Sequence, residues 1–128
     1  MRYEDIAGAL AAAERDRVPI APIEGLDLDG AYAVQKINIE RRLAGGARTV
    51  GYKVGLTSRA MREMLGVDQP DFGRLLDSMQ VSGTAEIGAY IAPRAEAEVA
   101  FVLAEDLRGP GVSAEDVLAA VVCLRPAI

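Results

Sequence analysis

The chain has 128 residues and a formal net charge of −5, with 51% apolar and 26% charged residues, one cysteine and no histidine. That is one domain's worth of chain, too apolar for a disordered segment and without the clustered Lys/Arg surface that binding to a phosphate backbone requires. The missing histidine excludes a Ser-His-Asp triad, a Cys-His pair and His-ligated zinc, and the lone Cys123 excludes an intrachain disulfide or a CxxC site.

At the N-terminus, Ile6, Leu10 and Ala13 recur at helical spacing, which predicts an amphipathic helix over 5–17 ended by Pro19 and Pro22. Alternating charges run through this stretch, so it lacks the form of a secretory leader, and no run reaches the length of a membrane span. A soluble, cytoplasmic protein is expected. A second helix is predicted from Asp29 through AYAVQKINIERRLA, with Val34 and Ile37 inward and Gly45-Gly46 as its stop. The two helices are expected to pack as one unit.

The pattern then changes to period two. In TVGYKVGLT, Val50, Tyr52 and Val54 share one face of a predicted strand, with Gly51, Lys53 and Gly55 on the other. The flanking glycines leave space beside Lys53, although Lys is also common on solvent-facing edge strands. Ser58 stands where an N-cap belongs, and Gly66 closes the short helix after it. In VDQPDFG, Pro70 and Gly73 put Asp71 on a tight turn, and most such aspartates only stabilise the turn. Residues 74–92 read as turn and short strand.

Pro93 and Arg94 precede AEAEVAFVL, a period-two strand that becomes apolar on both faces and is expected to be central in a sheet. Glu96 and Glu98 would leave one face of it about 7 Å apart. Their repulsion is relieved by a raised pKa or by a hard divalent cation such as Mg²⁺ or Mn²⁺, but a solvated strand start carries the same pattern. Arg94 would either balance these charges or grip a substrate carboxylate. After the loop DLRGPGV, Ser113 is predicted to cap a helix with Val117, Leu118, Val121 and Val122 inward, and Cys123 to be inert core.

Four blocks, AYAVQKINIERRLAGGARTVGYKVGLTS, GVDQPDFGRLLDSM, PRAEAEVAFVLAEDLRGPGV and DVLAAVVCLRPAI, together resemble the 2-keto-4-pentenoate hydratases of aromatic and steroid ring cleavage, within the fumarylacetoacetase-like superfamily. The resemblance implies an α+β fold, with an N-terminal helical part over 1–48 and the first portion of a mixed catalytic β-roll over 49–128, the remainder of the roll and a third metal carboxylate lying just after Ile128. It implies Mg²⁺ or Mn²⁺ on Glu96 and Glu98, proton transfer by Lys53 and Asp71, and Arg94 at the substrate. The substrate would be 2-hydroxypenta-2,4-dienoate or a homologous 2-hydroxydienoate, hydrated to a 4-hydroxy-2-oxo acid by a large homo-oligomer, with no nucleic-acid or membrane partner.

Two alternatives stand beside it. The sister 4-oxalocrotonate decarboxylases resemble the Lys and Glu-x-Glu blocks but typically lack an aspartate where Asp71 stands. A non-catalytic reading takes the chain as a truncated fragment or assembly module whose strand edges pair with another chain. The C–C bond hydrolases of the superfamily, which tend to use a His-Glu pair, are a weaker match to a chain without histidine.

Overall fold

The structure, a computed structural model, describes residues 2–128. Helices and antiparallel strand pairs are mixed along the chain, which divides between Ile91 and Ala92 into two compact units. No helix of the described residues is long and apolar enough to cross a membrane.

In the first unit, α1 spans Tyr3–Asp16 and α2 spans Leu28–Ala44. The α2 start is set by Asp27, whose Oδ1 accepts from the Gly30 N–H at 2.8 Å and satisfies one of the donors that a helix start leaves open. At its far end Gly46 adopts φ 99°, a left-handed conformation suited to glycine, so the expected Gly-Gly stop is found. Pairing of α1 with α2 buries Ile6, Ala7 and Val34, with Ile23, Leu26 and Ile37 packed around them. Ile6, Ala13 and Val34 are buried as expected, whereas Leu10 remains 37% exposed. Ala7 fills the inner position instead, where the Asn38 side chain donates to the Ala7 carbonyl at 2.9 Å and holds the helices close.

Strand β1 covers Thr49–Gly55 and pairs antiparallel with β2, Asp71–Leu76. Between them lies α3, Arg59–Leu65, closed by Gly66 at φ 71°. Ser58 occupies the N-cap position of α3, but its side chain makes no capping hydrogen bond. Asp71 therefore begins a strand rather than sitting on a turn, because its backbone is taken up in the ladder opposite Gly55. Of the segment 74–92, read as turn and short strand, residues 74–76 complete β2, and residues 77–92 hold two single 3-10 turns, Asp77–Met79 and Ile87–Ala89.

The second unit is a hairpin of β3, Glu98–Leu103, and β4, Val121–Ala127, with α4, Ala114–Ala120, in its connection. Ser113 caps α4 as expected, in a capping box in which Ser113 Oγ accepts from the Asp116 N–H and Asp116 Oδ2 accepts from the Ser113 N–H. Val121 and Val122 belong to β4 and not to the helix. Leu118 is exposed, and Ala120 is the buried residue of α4. The helix stops at Ala120 because the next residues turn extended and enter the ladder, beginning with Val121 opposite Leu103. Among the described residues β3 pairs with β4 alone, in a sheet of two strands, so the expected central position is not found within them.

Candidate functional site

The ladder β1–β2 assembles the first group of candidate residues. Gly55 stands opposite Asp71 and Lys53 opposite Gly73. Directly opposed residues of an antiparallel pair project to the same side, so Lys53 and Asp71 share one face as diagonal neighbours, a spacing of about 7–8 Å between backbones that a long side chain can bridge. Both are exposed. The other face carries Tyr52, Val54 and Phe72, also exposed, and the Arg74 guanidinium lies 5.8 Å from the centre of the Tyr52 ring. Sequence periodicity finds the Lys53 face but not its partner, because the register with Asp71 is a property of two segments.

Two features hold Asp71. A Cβ built on Gly55 would fall onto Asp71 Oδ1, 3.1 Å from Cγ and 3.4 Å from Oδ2, so the carboxylate occupies the space where a side chain would be. Next to it, the Phe72 N–H donates to Tyr32 Oη at 3.1 Å, and the Phe72 carbonyl accepts from Gln35 Nε2 at 3.2 Å. Alternate residues of an edge strand turn both backbone groups away from their partner strand, and at Phe72 those groups meet α2. Neither Gly55 as a contact of Asp71 nor Tyr32 and Gln35 are visible in the sequence as site residues.

The opposite end of this ladder is closed by Arg48 and Asp77. The Arg48 N–H donates to Asp77 Oδ1 at 3.1 Å, its guanidinium to Oδ2 at 3.2 Å, and the Asp77 N–H returns a bond to the Arg48 carbonyl at 2.9 Å. These bonds from Arg48, led by the one from its backbone, hold the Asp77 carboxyl below the usual carboxylate range. Nearby, Val50, Leu75, Leu76, Met79 and Gln80 line a shallow open depression that contains no titratable side chain.

The second group lies on the other unit. Glu98 is the first residue of β3, opposite Ala127, and Glu96 lies two residues ahead of the strand. Of the two carboxylates, only Glu98 is thus within β3 as it spans Glu98–Leu103. Arg94 is in the irregular segment before them, and all three are exposed. Arg125 stands opposite Ala100 and so shares the face of Glu98 as its diagonal neighbour, a cation that sequence reasoning overlooked. Among the described residues no three His, Cys, Asp or Glu side chains are grouped to hold a metal ion, so Glu96 and Glu98 form at most two carboxylates of such a set. Their donor atoms are all oxygen, which suits a hard divalent cation.

No family model matches the chain. A 2-hydroxypent-2,4-dienoate hydratase of Pseudomonas putida is 45% identical over 121 residues, covering 91% of this chain and 54% of that protein. The 2-keto-4-pentenoate hydratase 2 of Dechloromonas aromatica (strain RCB) is 51% identical over 114 residues, 84% of this chain and 43% of that one. Among solved structures, the 4-oxalocrotonate decarboxylase of Pseudomonas putida G7 complexed with magnesium and adipate superposes with a TM-score of 0.86 at 34% identity, over 97% of this chain and 49% of its own. The same enzyme complexed with calcium and acetate gives 0.85 at 33% identity, over 93% and 48%. The chain spans about half the length of the curated relatives it matches, and over that span it is 41–51% identical to proteins named as 2-keto-4-pentenoate or 2-hydroxypentadienoate hydratases.

Proposed function

We propose that the protein carrying this chain hydrates 2-hydroxypenta-2,4-dienoate, or a homologous 2-hydroxydienoate, to a 4-hydroxy-2-oxo acid in aromatic or steroid ring-cleavage catabolism. The observation that carries this reading is the shared face of Lys53 and Asp71, in a chain whose relatives are named as hydratases of this substrate class. A cationic side chain beside a carboxylate provides both a proton donor and a proton acceptor next to one bound molecule.

The chemistry balances with those two groups and one water. Loss of the 2-hydroxyl proton and protonation of C5 convert the dienol to a 2-oxo-3-enoate. Water then adds its hydroxyl to C4 while C3 takes a proton, and one of the two side chains holds each proton in transit. Glu96 and Glu98 would be two of the carboxylates on a divalent ion such as Mg²⁺ or Mn²⁺, which supplies Lewis-acid stabilisation of negative charge on the substrate's 2-oxygen. Magnesium and calcium in the structural relatives support a divalent cofactor. Arg94 would pair with the substrate carboxylate.

In the same reading, residues 1–48 form the helical part, and 49–128 the first portion of a mixed β-roll. Both hairpins present apolar faces to solvent, Tyr52 at 70% and Phe101 at 54% exposure, which supports further sheet or subunit packing over them in a homo-oligomeric, cytoplasmic enzyme.

The test is intact mass together with loss of 2-hydroxypenta-2,4-dienoate absorbance on adding protein and Mg²⁺. Turnover supports the hydratase. A folded protein that binds Mg²⁺ without turning over this dienoate or its longer homologues overturns it. The structural likeness to 4-oxalocrotonate decarboxylase favours one second reading, and release of carbon dioxide from 4-oxalocrotonate would select that instead.

A further inference from the structure

We propose that Gly55, Tyr32 and Gln35 are positioning residues for Asp71, fixing its carboxylate on the Lys53 face of the β1–β2 ladder. The inference rests on the reading of Asp71 as a proton-transfer group.

The physical argument has two parts. Gly55 faces Asp71 in the ladder, and the Asp71 carboxylate lies over its Cα, with Cγ 3.1 Å and Oδ2 3.4 Å from where a Cβ would stand. Any other residue at 55 would push the carboxylate aside. What meets the added carbon is a short side chain anchored at its own backbone, so the displacement cannot be absorbed at the end of a long flexible chain. Gly51, on the same face of β1, differs, since its Cβ would meet only Leu75 Cδ1 at 3.9 Å, an ordinary contact. The requirement for glycine is thus specific to the position that faces Asp71.

The backbone beneath Asp71 is held from the other edge. Tyr32 accepts from the Phe72 N–H and Gln35 donates to the Phe72 carbonyl, one residue from Asp71. Both come from successive turns of α2, whose Val34 is anchored in the helix core at 2% exposure. A rigid helix thereby fixes the first residues of β2, and the open space over Gly55 receives the side chain. Displacement of a reacting group by about 1 Å is enough to cost about a hundredfold in rate.

The experiment uses the full-length protein with saturating Mg²⁺ and 2-hydroxypenta-2,4-dienoate, and compares G55A, Y32F, D71N and the double variant G55A/D71N. D71N is expected to lose about 10²–10⁴-fold in kcat, as removal of an acid–base group does. G55A is expected to lose about 10²-fold in kcat with KM within about threefold and an altered pH–kcat profile. The double variant should be no slower than D71N, because the glycine acts only through the carboxylate. Y32F, which removes one hydroxyl and leaves the ring, should lower kcat by about 5–10-fold with KM unchanged, the effect of one lost hydrogen bond of about 1 kcal/mol. It keeps the proposal testable if G55A does not fold.

Full kcat in G55A or Y32F alongside an impaired D71N would overturn the positioning role. So would losses in G55A and D71N that simply multiply in the double variant. Full activity in D71N would instead overturn the proton-transfer reading on which the proposal stands.

Discussion

The two antiparallel hairpins differ in how each is held. β1–β2 is braced at both ends by groups outside its ladder, α2 gripping Phe72 at one end and the Arg48–Asp77 pair closing the other. In β3–β4, the Ala104 N–H donates to the Ala120 carbonyl at 2.8 Å beyond the ladder, and the connecting helix carries its own capping box. The first hairpin thus has the means to hold a side chain in a defined place within its own unit. The second carries Glu98 at the start of β3 and Glu96 two residues ahead of it.

The largest test of this difference is a core deletion in the braced unit. Ile6→Ala empties a site 3% exposed between α1 and α2 and is expected to destabilise by about 2–5 kcal/mol. Urea unfolding followed by hydrogen exchange should show protection lost in β1–β2 along with the helices. If exchange in the ladder does not change, the helices do not brace it.

Metal is the corresponding test of the second hairpin. At about 100 times its dissociation constant, Mg²⁺ should stabilise the full-length protein by about 2.7 kcal/mol, read as a rise in Tm. In a Glu96→Gln, Glu98→Gln double variant that rise should vanish while Tm without metal stays near the original. An undiminished rise would remove both glutamates from the metal site.

Smaller effects separate the units further. Ser113→Ala removes the capping box of α4 and should cost about 1 kcal/mol, with faster exchange confined to α4 and β4, whereas Asp27→Ala should cost about as much at the start of α2.

The smallest effect is in acid. The carboxyls of Asp77 and Asp116 are both held below their ordinary value, chiefly by the backbone N–H groups of Arg48 and Ser113. A depressed folded pKa means stability present above the unfolded value of about 3.9 and lost as pH falls through the folded value. Acid titration should therefore weaken both units only below about pH 4, and Asp77→Asn should flatten this dependence in the first unit alone.

The candidate residues differed in how far they could be found without the structure. Lys53 was legible because Gly51, Lys53 and Gly55 alternate with Val50, Tyr52 and Val54, and a strand obeys that period locally. Asp71 was legible as a residue but not in its setting, since Pro70 and Gly73 carry a turn signal while the ladder opposite β1 makes it a strand. Glu96 was drawn into a strand by alternation, whereas β3 begins at Glu98. Val121 and Val122 suited a helix by spacing, yet opposite β3 they are strand residues, because tertiary pairing outweighs a weak local preference.

The sequence by itself determined the two N-terminal helices, their stops ahead of Pro19 and at Gly45-Gly46, the Ser113 cap of the fourth helix, and the family resemblance. Each of these rests on residues within a few positions of one another or on the order of motifs along the chain. Only the tertiary structure decided that Asp71 faces Gly55, that α2 grips Phe72, and that Arg125 shares the face of Glu98. Those relations join segments about 16 to 40 residues apart, and strand register is set by hydrogen bonds and packing between segments, which no local period encodes.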